Sequence, residues 1–284
     1  MQFADVKNDI AFRKIFGNGA KTEILTSFLN AVLKLESKKQ IDSATILNPY
    51  QAPIVFGAKS TILDVKAKDR EGNEYIIEMQ LTDKIGFAKR VVYYSAKSYS
   101  SQLSVGENYY TLKPTIFIGI LNFEFLETKN YLSRHLILDA ETQEHKLKDL
   151  DFNFIELPKF IKKEQELNTL IDKWVYFIKN AENLTVIPLN ADDEGLKSAY
   201  IEADQHLWTK ADLEAYEYAR IRETDDKAEK MLVEEKAELR KQIEIAKSLL
   251  QTALSDADIA KHTGLIVEQV KHLRNEKIIS IPLD

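Results

Sequence analysis

The chain has 284 residues, of which 44% are hydrophobic and 30% charged, with a net charge of −6 and no cysteine. This is globular composition; it excludes a disordered chain, disulfides, cysteine–zinc sites and thiol nucleophiles, and no apolar run approaches the roughly eighteen residues of a membrane span. Residues 1–130 carry 17 Lys/Arg against 14 Asp/Glu and the remainder 22 against 31, so any surface that meets a polyanion must be a local groove rather than the whole molecule. The start, MQFADVKNDIAFRKIFG, has no apolar signal core, and with the absence of cysteine this leads us to expect a cytoplasmic protein.

In chain order, residues 9–34 read as two short helices. Phe12, Ile15, Phe16, Ile24, Leu25, Phe28, Leu29 and Val32 recur at helical spacing, interrupted by Gly17-Asn18-Gly19. Ile46–Leu47 and residues 54–56 flank Pro49 and Pro53, the pattern of an edge strand or an irregular lead-in. Residues 60–68 and 75–81 are strands around the turn Arg70-Glu71-Gly72-Asn73. From residue 83 to about 103 a long helix is expected, with Ile85, Val92, Ala96, Tyr99 and Leu103 as its apolar stripe. Residues 115–121 (TIFIGIL) form a strand buried on both faces, and residues 135–139 and 152–157 a further hairpin. Residues 164–180 read as an amphipathic helix carrying Leu167, Leu170, Ile171, Trp174 and Phe177. Composition turns polar and acidic at residues 190–195, and everything beyond is helical. We therefore expect an α/β domain over 1–190, a mixed sheet flanked by helices, and a small all-α region over 191–284.

The segment STILDVKAKDREGNEYIIEMQL carries the chemistry. Strand side chains alternate between faces, so Leu63, Val65 and Ala67 join Tyr75, Ile77, Met79 and Leu81 on a core face. Asp64, Lys66, Lys68, Glu74, Glu78 and Gln80 share the other face with the apolar Ile62 and Ile76. A hairpin closing around Glu71 sets Asp64 opposite Glu78, with Cβ atoms roughly 4.5–5.5 Å apart. Two facing carboxylates repel unless a cation lies between them. Mg²⁺, held by one or two carboxylates plus substrate phosphates, suits such a pair; it polarises a phosphodiester and activates a water. Gln80 can orient that water or donate to a phosphate oxygen. The alternative is a hairpin that simply carries acids on a solvent face. Arg90 and Tyr94 share a helix face, with Arg90 suited to a phosphate or to a salt bridge with an acid. Lys66 is either a DNA contact or a solvated lysine, and Tyr93 and Tyr94 read as packing residues.

Three stretches, NDIAFRKIFG, LDVKAKDREGNEYIIEMQ and FAKRVVYYSAKSYSSQL, resemble the PD-(D/E)XK nuclease family transposases, also called the Rpn recombination-promoting nucleases. The resemblance covers residues 1–185, with a weaker similarity in IAKSLLQTALSDADIAKHTGLIVEQV. It implies a restriction-endonuclease-like core, a divalent metal (Mg²⁺ or Mn²⁺), and endonucleolytic cleavage of DNA linked to recombination or mobile elements. It makes Asp64 the motif aspartate and principal metal ligand, and Glu78 the second acid. Gln80 stands where the wider superfamily has lysine, as in the Rpn-like branch; a neutral amide supplies no positive charge to a transition state. Asp9 falls at the N-terminal acidic position that can complete the metal site, and it equally suits the N-cap of the first helix.

The five histidines show no metal-ligand spacing, and no Walker A, dinucleotide or G-x-S-x-G motif is present, so neither a nucleotide cofactor nor a membrane partner is expected. In the tail, Ser255-Asp256-Ala257-Asp258 fits a capping box, and a helix ending near Gly264 precedes another over 266–274 with Lys271, His272 and Arg274. That is the outline of a helix-turn-helix. The charged stretch 224–241 suits a solvated helix or self-association as a homo-oligomer. Two readings compete: a metal-dependent deoxyribonuclease centred on Asp64, Glu78 and Gln80, and a catalytically inactive DNA-binding or assembly protein built on a nuclease-like scaffold.

Overall fold

A computed structural model describes residues 1–51 and 61–279; the expected strand at 54–56 and Ser60 lie outside them. Two helices open the chain, α1 (Asp9–Phe16) and α2 (Thr22–Leu33). The side chain of Asn8, not Asp9, caps α1, accepting from Ile10 N at 3.0 Å and Ala11 N at 3.4 Å. Asp9 is the first helical residue and is exposed. The break falls at Gly17, where a Cβ would lie 2.6 Å from the Arg13 carbonyl oxygen.

The strands are β1 (Ala44–Leu47), β2 (Tyr50–Gln51), β3 (Thr61–Ile62), β4 (Val65–Asp69), β5 (Glu74–Gln80), β6 (Thr115–Leu121), β7 (Leu132–Ile137) and β8 (Leu147–Glu156). Six of them form a mixed sheet in the order β1-β4-β5-β6-β8-β7, and β2 pairs with β3 separately. β1, β4 and β5 run antiparallel, β5, β6 and β8 are parallel, and β7 closes the edge antiparallel to β8. Every residue of β6 is buried, as a central strand with both faces covered requires.

The sheet separates two cores. On one face Val65, Ala67, Tyr75, Ile77, Ile118 and Ile120 pack against α1, α2 and α4 (Leu170–Asn180), around Phe16, Phe28 and Trp174. On the other, Leu63, Ile76, Phe117, Leu121 and Phe154 meet Phe87 and Val91 of α3 (Phe87–Ser100). The second face is therefore covered as well. α3 is shorter than the sequence pattern suggests, because Gly86 (φ +85°) ends the preceding turn and caps it. Its buried residues are Phe87, Val91, Ser95, Lys97 and Ser98, while Ile85 and Val92 are exposed; the expected stripe is displaced onto the neighbouring face. Residues 164–166 form a separate 3₁₀ turn, so α4 starts at Leu170, where Thr169 caps it.

The chain divides into two compact units, Met1–Ala219 and Arg220–Asp284. The division lies within α6 (Lys210–Leu249), about thirty residues beyond the composition change near 190. The first unit extends that far because α5 (Glu194–Ala203) packs Leu196, Ala199 and Tyr200 into its core, and Trp208 and Tyr216 bury beside Ala4 and Ala11. In the second unit, the end of α6, α7 (Asp256–Thr263) and α8 (Val267–Ile279) enclose Ala246, Leu250, Ile259, Ala260, Leu265 and Val270. Gly264 (φ +78°) ends α7 and Ser255 caps its start. Among the described residues, no helix is long and apolar enough to cross a membrane.

Candidate active site

The hairpin closes in the register that its turn dictates: Val65 faces Ile77, Lys66 faces Ile76 and Lys68 faces Glu74. Gly72 supplies the positive φ (+94°) of the turn. One step beyond Val65 the strand stops. Leu63 and Asp64 form a bend between β3 and β4, so the expected continuous strand over 60–68 is broken. The bend also upsets the alternation of faces. Leu63 turns into the α3-side core instead of joining Val65, and Ile62 is exposed.

Because β4 ends there, the ladder leaves backbone N–H groups to be satisfied. The two carboxylates supply the acceptors. Met79 N donates to Asp64 Oδ2 at 2.9 Å, and Asp64 N donates to Glu78 Oε1 at 3.1 Å. Asp64 and Glu78 thus cap the ladder reciprocally, which locks each against the other. The remaining Asp64 oxygen, Oδ1, accepts from Arg13 Nη2 of α1 at 2.8 Å. Glu78 Oε2 has no hydrogen-bond partner among the described residues. On the neighbouring strand the residue beside Glu78 is Gly119, where a Cβ would press on the rings of Phe154 and Phe117.

This packing has an electrostatic consequence. Burial first, and the adjacent Asp64 charge second, push the Glu78 carboxyl up to about 8; the Asp64 N–H, Arg90 and Arg13 only partly offset them. On Arg13, partial burial opposes the charge, but Asp64, with Asp9 and Glu78 adding, raises its pKa above the ordinary value. Glu78 is thus held above the ordinary carboxylate range even with two guanidinium groups near it.

Gln80, two residues along β5, is tied at both ends of its amide. Its Nε2 donates to Thr82 O at 3.0 Å and its Oε1 accepts from Arg90 Nη2. The Arg90 guanidinium lies over the rings of Phe87 and Tyr94 at 5.5 and 5.9 Å. Burial, then the Glu78 charge, raises the Tyr94 phenol, which stays protonated. Asp64, Glu78, Gln80 and Arg90 are thus brought together.

Lys66 and Asp9 do not join them. Lys66 Nζ pairs with Glu74 Oε2 at 3.0 Å, the two side chains only 11% and 9% exposed, and Ser98 Oγ donates to the same oxygen at 2.7 Å. It serves the packing under α3 and is not displayed to a ligand. Among the described residues, no three His, Asp or Glu side chains gather closely enough to hold a metal, so Asp9 is not drawn in with Asp64 and Glu78. Arg13, which sequence reasoning passed over, takes the place on α1 that Asp9 was expected to fill. The only available signal was its spacing, four residues after Asp9 on the same helix face.

A family model described as PD-(D/E)XK nuclease family transposase matches residues 6–251. The chain belongs to this family. The match runs past residue 185, where the sequence resemblance ended, and into α6. The mixed six-stranded sheet with its flanking helices is the family's restriction-endonuclease-like fold, followed by a long C-terminal helix. Comparison with curated proteins and with solved structures returns no match.

Proposed function

We propose that the protein is a divalent-metal-dependent DNA endonuclease whose centre is the Asp64–Glu78 pair, with Gln80 and Arg90 beside it. The carrying observation is the pair itself: at the open end of the β4–β5 hairpin Asp64 accepts from Met79 N and Glu78 accepts from Asp64 N, while Glu78 Oε2 has no hydrogen-bond partner among the described residues. Such a donor set fits a hard cation that takes one or two carboxylates and completes its shell with water and phosphate oxygens. Asp64 through Oδ1 and Glu78 through Oε2 would hold Mg²⁺ or Mn²⁺. When bound, the ion supplies an acidified water and offsets charge on the phosphodiester.

The chain's own residues do the remainder. Asp64 and Glu78 fix each other's orientation through the end of the ladder, so neither needs to reorganise. Gln80, tied to Thr82, holds Arg90 by its carbonyl and thereby positions a guanidinium for a phosphate. In this reading Gln80 is a positioning residue, and Arg90 brings the positive charge that lysine brings at the Gln80 position elsewhere in the superfamily. DNA is the substrate, in keeping with the family, and strand cleavage in recombination or element mobility within the cytoplasm is the role we assign. A second reading, DNA recognition by the C-terminal helices, draws on the Gly264 turn and the packed core of α7 and α8. It complements cleavage rather than replacing it.

The test is nicking of supercoiled plasmid by purified protein with Mg²⁺, with Mn²⁺ and with EDTA, for wild type and Asp64→Ala. Cutting that needs the metal and is lost in Asp64→Ala is the expected result. A folded wild type that cuts neither plasmid nor single strands under any of these conditions refutes the catalytic reading.

A further inference from the structure

Each oxygen of Asp64 already accepts one hydrogen bond, Oδ2 from Met79 N at 2.9 Å and Oδ1 from Arg13 Nη2 at 2.8 Å, and of these two partners only the Arg13 side chain can leave without disturbing the sheet. Arg13 comes from α1, 51 residues earlier in the chain, and α1 packs on the opposite side of the bend from α3. Its side chain is 43% exposed and that of Asp64 only 13%, so the guanidinium covers the carboxylate from the solvent side. Arg90 is held differently: Gln80 accepts from it and aromatic rings lie under it. Of the two guanidinium groups, Arg13 is the one bonded to a metal-binding carboxylate and the one with open solvent to move into. Asp9, four residues before it on the exposed side of α1, adds favourably to its charge.

We propose that Arg13 is a placeholder: it occupies Asp64 Oδ1 while the site is metal-free, leaves that oxygen when a divalent cation binds, and then takes a phosphate of the DNA backbone. The inference rests on the metal-site reading above. A cation and a guanidinium compete for the same lone pairs, and each repels the other at short range. Displacement costs little backbone movement, because a long side chain anchored on a rigid helix can swing by rotating about its own bonds. Once displaced, its planar fork is suited to a phosphate. The exchange ties cation loading to the appearance of a phosphate-binding group at the mouth of the site.

The experiment measures Mn²⁺ affinity by electron paramagnetic resonance of the free ion for wild type, Arg13→Gln, Arg13→Lys and Asp64→Asn. In parallel, the salt dependence of duplex-DNA binding is measured in Ca²⁺. Arg13→Gln is expected to bind Mn²⁺ roughly tenfold more tightly than wild type, with Arg13→Lys near wild type because the charge is kept. Its DNA-binding salt slope should fall by about 1, the loss of one phosphate contact. If wild type binds Mn²⁺ in an Asp64-dependent manner and Arg13→Gln binds it no tighter, or if the salt slope is unchanged, the placeholder is refuted and the metal site stands. If neither wild type nor Arg13→Gln binds Mn²⁺, the metal-site reading falls and the placeholder with it. Should Arg13→Gln not fold, the Arg13 Nε–H resonance of wild type decides. It is expected to move on saturation with Mg²⁺, and an unchanged resonance overturns the proposal.

Discussion

The two ends of the β4–β5 hairpin use the same residue types to opposite effect. At the turn, Asp69 accepts from Asn73 N, Asn73 Nδ2 and Tyr75 Oη at 2.9, 2.8 and 2.7 Å, and Glu74 is matched by Lys66 and Ser98. At the open end, Asp64 and Glu78 face each other, and Glu78 is pushed up to about 8. The turn-end acids are satisfied by their own surroundings, so they hold structure. At the open end Asp64 is paired with Arg13, while Glu78 beside it is raised by burial and by the Asp64 charge, the condition in which we propose that a cation is received.

Mirror substitutions at the two ends give the largest expected contrast. Glu78→Gln retains an acceptor for Asp64 N and removes the cost of keeping this carboxyl protonated where its unfolded counterpart is ionised. It should keep or raise the melting temperature while cutting plasmid nicking by about 10³-fold or more, the scale of losing a key electrostatic group. Glu74→Gln should do the reverse: chemical denaturation is expected to show a loss of about 3–5 kcal/mol, because Lys66 is left buried without its counter-charge, and the folded fraction should nick normally. Equal effects of the two variants on nicking would break the comparison. Asp69→Ala should cost about 1–3 kcal/mol, since Tyr75 Oη and Asn73 N lose their acceptor, again without a change in metal affinity by titration.

A further expectation concerns pH. The folded carboxyl of Glu78 titrates near 8 and its unfolded counterpart near the ordinary value of 4.5. Between those two values the folded state holds the extra proton, so metal-free stability should fall as pH rises through this window. Thermal melts from pH 5 to pH 9 check the decline. Saturating Mg²⁺ should remove it for wild type, and Glu78→Gln should not show it at all.

Much of this was legible from residue order. Gly72 and the two-residue alternation of side chains fix the register from Lys68–Glu74 to Val65–Ile77, and Asp64 meets Glu78 one step beyond it, at the bend. The helix pair α1–α2 was equally plain from Gly17-Asn18-Gly19. What escaped the sequence depends on the third dimension. The bend at Leu63–Asp64 reverses a strand's alternation without any proline or glycine to announce it. Lys66 read as either a DNA contact or a solvated lysine, and neither reading foresaw that it is buried with Glu74 and the Ser98 side chain of α3. Arg13 reaches the site from 51 residues away, beyond any local pattern. The expected boundary near 190 marks where composition changes, but α5 is amphipathic enough to bury Leu196 and Tyr200 in the first unit.

The most direct test of the central claim, that Asp64 and Glu78 share one cation, is a crystal structure of the protein soaked in Mn²⁺, with the ion located by its anomalous scattering. A single strong peak between the Asp64 and Glu78 carboxylates, with Arg13 withdrawn from Asp64, is the expected result. Mn²⁺ bound elsewhere on the protein, with Arg13 still seated on Asp64 and no peak between the two carboxylates, would contradict it.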